Sequence, residues 1–165
     1  MTLLDKKEPV KRVEKSLKQF DKSLKVLTLN SSARTAFDAS KSLKCEVGAI
    51  VKSLLFKTDD SFVLCLVSGD RRCSVNKLKQ LSNKKDISMA NPKEVKDQTG
   101  FTIGGVSPVG HINELKIIID KTLNRFEEIY AAAGHPNCVF KINFENLQKI
   151  TNADIAEISE WDNQK

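Results

Sequence analysis

Two apolar runs, IVKSLLF (50–56) and FVLCLVS (62–68), stand on either side of the polar segment Thr58-Asp59-Asp60-Ser61. Each run has the length and aliphatic, β-branched character of one strand, and a short polar turn between two such runs predicts an antiparallel hairpin. In the first strand, period two places Gly48, Ile50, Lys52, Leu54 and Phe56 on one face, so a lysine sits among apolar neighbours. Such a lysine either snorkels to the surface on its apolar stem or enters a pocket as a fixed positive charge.

The flanking sequence alternates between helical and extended patterns. Val10, Val13, Leu17, Phe20, Leu24 and Leu27 recur at spacings of three and four, which predicts an amphipathic helix over residues 1–29 with its lysines facing outward. Residues 33–43 and 75–81 read as further helices. Asn91-Pro92-Lys93-Glu94 combines an N-cap, a first-turn proline and a glutamate three residues after the cap, and this helix should stop at Gly100. Residues 101–103 read as a brief strand, 104–111 as a loop and 115–119 as a strand. FEEIYAAAG and CVFKIN, joined by His135-Pro136-Asn137, predict a second hairpin. A helix over 143–150 and a last strand over 154–159 complete the reading. Hairpins with helices between them predict an α+β domain built on a mixed sheet.

A chain of 165 residues fits one such domain, and 40% hydrophobic with 29% charged residues excludes a disordered or fibrous chain. No uncharged apolar stretch reaches the roughly 18 residues of a membrane span, and the N-terminus carries no secretory pattern, so a cytoplasmic location is expected. Cys45, Cys65, Cys73 and Cys138 form no Cys-x-x-Cys pair, which predicts reduced, structural thiols rather than a zinc or redox site. The net charge is +6, distributed as +4 over 1–25, +5 over 26–111 and −3 over 112–165. Arg71, Arg72, Lys77, Lys79, Lys84 and Lys85 follow one another with no intervening acid. They form either a surface that steers a polyanion or an ordinary solvated helix face.

The segment Gly104-Gly105-Val106-Ser107-Pro108-Val109-Gly110 is the second chemical candidate. Adjacent glycines let another molecule approach the backbone, and Pro108 stiffens the loop so that preceding N–H groups can face a ligand carbonyl. A plain tight turn is the alternative. Neither a Walker loop nor a dinucleotide fingerprint is present. His111 and His135 lack partners at metal-ligand spacing, and no Gly-x-Ser-x-Gly supports a triad through Ser107.

IVKSLLF (50–56), LVSGDRR (66–72), TGFTIGGVSPVGH (99–111), LKIIID (115–120) and YAAAGHPNCVFKI (130–142) together resemble the YbaK/EbsC family, free-standing relatives of the editing insertion of bacterial prolyl-tRNA synthetases. The resemblance extends over residues 30–160. It implies a pseudobarrel of about six or seven strands, no cofactor and no metal, and hydrolysis of the ester that joins a wrong amino acid to tRNA. The family's strand lysine and Gly-x-x-x-Pro loop fall on Lys52 and on Gly104, Gly105, Val106, Ser107 and Pro108. Ile50, His111, His135 and Cys138 are the expected substrate-binding residues, although Cys138 reads equally as a buried thiol. Arg71, Arg72, Lys77 and Lys79 are the expected tRNA contacts. The implied partners are the acceptor end of a mischarged tRNA and prolyl-tRNA synthetase, with no membrane. An inert RNA-binding domain and a hydrolase of another small acyl ester are the competing readings.

Overall fold

The hairpin predicted at the centre of the chain forms the axis of the sheet. In the computed structural model, which describes residues 7–163, strand β2 (Ile50–Lys57) pairs antiparallel with β3 (Phe62–Ser68) from Val51↔Ser68 to Lys57↔Phe62. Helix α1 (Glu8–Phe20), β1 (Val26–Thr28) and α2 (Ala36–Leu43) precede the hairpin, a short 3-10 turn at Val47–Ala49 leads into it, and β4 (Arg71–Cys73), α3 (Val75–Ser82), β5 (Ser88–Met89) and α4 (Pro92–Thr99) follow it. Strand β6 (Lys116–Asp120), a 3-10 turn at Lys121–Arg125, β7 (Ile129–Ala132), β8 (Cys138–Ile142), α5 (Phe144–Thr151), β9 (Asp154–Ala156) and β10 (Ser159–Trp161) complete the chain. The main sheet runs β1-β8-β7-β2-β3-β6-β9, with β5 added beside β2, while β4 and β10 form a separate ribbon.

This is the expected mixed α+β architecture, with parallel pairs β2/β7, β3/β6 and β6/β9 and antiparallel hairpins β2/β3 and β7/β8. Among the described residues the main sheet has seven strands on its continuous path, in line with the six or seven expected, with β5 beside β2 and β4 and β10 in the ribbon as additions. The strands not expected from the sequence, β1, β4, β5 and β10, are two or three residues long, too short to show alternation.

Two cores occupy the two faces of the sheet. Val51 and Leu55 pack with Leu64, Leu66, Ile117 and Ile119 under α1, whose Val10, Val13 and Leu17 are fully buried. On the other face Phe56, Val63, Cys65, Val67 and Ile118 pack against Leu78 and Ile158. Burial of each large aliphatic side chain stabilises the fold by about 1.5–3 kcal/mol, so α1 is an integral part of the first core.

Several boundaries differ from expectation. Helix α1 ends at Phe20, because the Asp21 carboxylate takes both the N–H and the hydroxyl of Ser23 (2.9 and 2.7 Å) and turns the chain. Leu24 and Leu27 therefore lie beyond the helix, and Leu27 belongs to β1, paired with β8. Helix α2 starts at Ala36 behind the Thr35 cap rather than at Ala33. Residues 101–103 form no strand; Phe101 is a fully buried anchor within the loop. The segment 154–159 divides between two sheets, since Ile158 turns its N–H to Asp120 (2.8 Å) between β9 and β10. The α4 capping box at Asn91 and Glu94 and the Gly100 stop, with φ +82°, match the sequence reading.

Candidate active site

The site arises from an interruption in the sheet. Along one edge β2 is paired with β3 throughout, but along the other it is paired with β7 only at Ile50 and Val51 and with β5 only at Phe56 and Lys57. Lys52 to Leu55 thus face a gap, bridged at its end by the bond from Ala90 N–H to Leu55 C=O (3.0 Å). A cavity of about 230 Å³ opens there, walled by small residues such as Ala36 and Ala39 of α2 and Ala131 of β7, with Val95 of α4 and Gly104 and Val106 of the glycine loop.

Lys52 lines this cavity and is part-buried. Its Nζ donates a hydrogen bond to the Arg71 carbonyl, so the cationic head is tethered rather than free in solvent. Burial lowers its pKa from the ordinary lysine value, while the nearby Asp162 and Asp70 act in the opposite direction. The tether is itself fixed from behind. Arg71 is buried, donating to the Ser159 hydroxyl (2.6 Å) and carbonyl (3.0 Å) and stacking 4.5 Å from the Trp161 ring centre. The Ser159 hydroxyl donates to Asp120 (2.8 Å). Burial pushes the Asp70 carboxyl up, but hydrogen bonds from Arg125 and Ser68 outweigh it and hold its pKa below the usual value.

The glycine loop contributes Gly104 and Val106 to the wall. Gly104 has φ +94°, and the stem of Arg34 lies over it so closely that a Cβ there would stand 3.0 Å from Arg34 Cγ. Gly105 serves a different purpose from the one its position suggests. Its N–H is committed to the Thr102 carbonyl (3.0 Å), its carbonyl accepts from Gly134 N–H (3.1 Å), and a Cβ would approach His135 N to 2.9 Å. What approaches Gly105 is the chain's own β7–β8 turn.

The remaining expected residues divide clearly. Ile50 lines the cavity; Ser107, Pro108, His111, His135 and Cys138 do not. Ser107 is fully buried, with its hydroxyl accepting from Val109 N–H (3.3 Å) and its carbonyl 2.6 Å from His111 Nε2. His111 packs edge-on against Phe101, and burial lowers its pKa. His135 accepts the Asn137 N–H on Nδ1 (3.0 Å) and shapes the turn. Cys138 is fully buried in the first core with its sulfur 4.0 Å from the Thr28 hydroxyl. Of the basic run, Arg71 is internal, Arg72 pairs with Glu160 (2.8 Å), Lys77 donates to the Ser159 carbonyl (2.8 Å), and Lys79 is part-exposed on α3. Arg34, Ser53 and Tyr130, none of them singled out by motif or spacing, line the cavity as well.

The sequence profile of the aminoacyl-tRNA editing domain matches residues 30–150. The chain belongs to this family. The editing domain is 28% identical over 143 residues to YwhH, an uncharacterized protein of Bacillus subtilis (strain 168), covering 86% of this chain and 90% of that one. It is 35% identical over 117 residues to the proline–tRNA ligase of Thermosipho africanus (strain TCF52B), covering 70% of this chain but only 20% of the ligase. Its span is thus about a fifth of that much larger enzyme. A crystal structure of a proposed trans-editing enzyme for prolyl-tRNA synthetase superposes with a TM-score of 0.88 at 37% identity, over 93% of this chain and 98% of that one. Among the described residues of the editing domain no cluster of three or more His, Cys, Asp or Glu is arranged to hold a metal, and no helix is long and apolar enough to cross a membrane.

Proposed function

We propose that this editing domain acts in trans on the proline-accepting tRNA, hydrolysing the ester that joins it to a small non-cognate amino acid. The observation that carries the reading is the tethered Lys52 at a small cavity opened by the break in the β2 ladder. A cavity of about 230 Å³ lies below the range that encloses a drug-sized ligand. It suits an aminoacyl group, with the ribose and the rest of the acceptor end outside. The relatedness to proline–tRNA ligases and the superposition on a proposed prolyl trans-editing enzyme support the choice of tRNA. Prolyl-tRNA synthetase is the matching partner, and the cytoplasm the matching compartment.

Chemically the site works by position and charge. Among the described residues no carboxylate, imidazole or thiol lines the cavity, so the wall supplies neither a cysteine nucleophile nor an ordinary general base. An aminoacyl ester is already activated, and holding it beside an oriented water lowers the barrier substantially. Water adds to the carbonyl carbon, the ester C–O bond breaks, and the ribose oxygen leaves as a hydroxyl with the proton lost by water. The neighbouring ribose hydroxyl relays that proton. Negative charge that develops on the carbonyl oxygen is stabilised by the fixed Lys52 charge and by donors of the Gly104 loop. The net charge of +6 assists encounter with the polyanionic RNA.

Deacylation in ¹⁸O-labelled water tests the reaction class. The released amino acid should carry one ¹⁸O in its carboxylate and the tRNA should be re-chargeable, with the rate unaffected by EDTA. Unlabelled product, or transfer of the acyl group to the protein, contradicts hydrolysis by water.

A further inference from the structure

Ser53 lies within the gap in the sheet, and its Oγ is the buried side-chain polar atom that lacks a hydrogen-bond partner among the described residues. The bond from Thr58 N–H to Ser61 C=O (2.8 Å) fixes the alternation of the ladder. Residues 52, 54 and 56 turn their backbone groups toward β3, and residues 51, 53 and 55 turn theirs the other way. Val51 has β7 opposite and the Leu55 carbonyl has Ala90; Ser53 lies between them with no strand opposite.

By the same period the Ser53 side chain shares a face with Val51 and Leu55, both members of the apolar core. An alanine would fill such a position without cost, whereas a buried hydroxyl without a partner is destabilising by about 1–3 kcal/mol. No bond holds the hydroxyl where it is. The residue is only part-buried and lines the cavity, which places its unpartnered hydroxyl beside the space a substrate would occupy. Of the other polar side chains in the wall, Lys52 is tethered to Arg71 and the Thr35 hydroxyl caps α2 at Asp38 N–H (3.1 Å), while Arg34 and Tyr130 also border the cavity. Around Ser53 the wall is aliphatic and small, including Ala39, Ala90, Val95 and Val139.

We infer that Ser53 reads the side chain of the esterified amino acid, and that the preferred substrate carries a small hydroxyl-bearing side chain, as in a seryl or threonyl ester, over an alanyl ester. This rests on the deacylase reading above. A purely apolar pocket discriminates weakly against an added hydroxyl, whereas a site with a dedicated hydrogen-bonding group favours it.

The test is kcat/KM for tRNA(Pro) charged with serine and with alanine, measured for the unsubstituted protein and for Ser53→Ala, with thermal melting as the control for folding. The unsubstituted protein should prefer the seryl ester, and Ser53→Ala should lower the seryl-to-alanyl ratio about tenfold, the worth of one neutral hydrogen bond. Melting should be unchanged or raised. Preference of the unsubstituted protein for the alanyl ester, or a ratio unaltered by Ser53→Ala, overturns the inference while leaving the deacylase reading in place. Hydrolysis of neither these nor any other mischarged ester overturns both.

Discussion

Lys52→Ala should lower kcat/KM for deacylation by about 100- to 1,000-fold, the loss typical when one preorganised charge or donor at a developing oxyanion is removed. The fold should survive. Loss of the Lys52 side chain removes one hydrogen bond to the Arg71 carbonyl, and the β2–β3 and β2–β7 ladders do not involve that side chain. Lys52→Met separates charge from packing, since it keeps an apolar stem of similar length. It should be as inactive as the alanine variant; recovery of activity in Lys52→Met would assign Lys52 to wall packing. The depressed lysine pKa adds a pH signature. Burial favours the neutral amine in the folded state, so the stability cost of the charged form is fully present below the lowered pKa. That cost is relieved as pH rises between the lowered and the ordinary lysine values. Lys52→Met should remove this rise in melting temperature on the alkaline side.

Asp120→Ala should be the most destabilising single substitution near the site, at about 3–5 kcal/mol. Asp120 is fully buried and accepts from Thr122 N–H (3.2 Å), the Thr122 hydroxyl, Ile158 N–H (2.8 Å) and the Ser159 hydroxyl (2.8 Å). Its loss strands two buried donors, Ile158 N–H and the Ser159 hydroxyl, and frees β10 from the end of β6. A domain of this size should melt about 10 °C lower. The effect should extend to function, because Ser159 holds Arg71 and the Arg71 carbonyl holds Lys52. A melting shift under about 2 °C would contradict a structural role for this network.

The hairpin, the capping box at Asn91, the Gly100 stop and the β7–β8 reversal were legible because each depends on local chemistry over a few residues. Lys52 was legible as an anomaly of period two, and Gly104 as part of a glycine pair followed by Pro108. Position in the fold was not. The cavity depends on where β7 and β5 stop along β2, and β5 is two residues long. Ser53 looked unremarkable in a strand until the gap beside it was visible. Asp120 carries no motif, since its four donors come from the following turn and from a segment 38–39 residues away. The basic run shows a related limit: charge is visible in sequence, but the partners of its first two members, the buried Ser159 for Arg71 and the part-exposed Glu160 for Arg72, are 88 residues distant. The loop histidine His111 and the buried Cys138 likewise drew attention by residue type, whereas packing turns them away from the cavity.

The most direct measurement is a side-by-side time course of tRNA(Pro) charged with proline and with a panel of small non-cognate amino acids, each incubated with the same concentration of protein. Editing requires that the protein strip at least one non-cognate ester well above the spontaneous rate while prolyl-tRNA survives, with a rate ratio of at least about tenfold. Equal clearance of prolyl-tRNA and the mischarged species, or no clearance of any of them, would contradict the account.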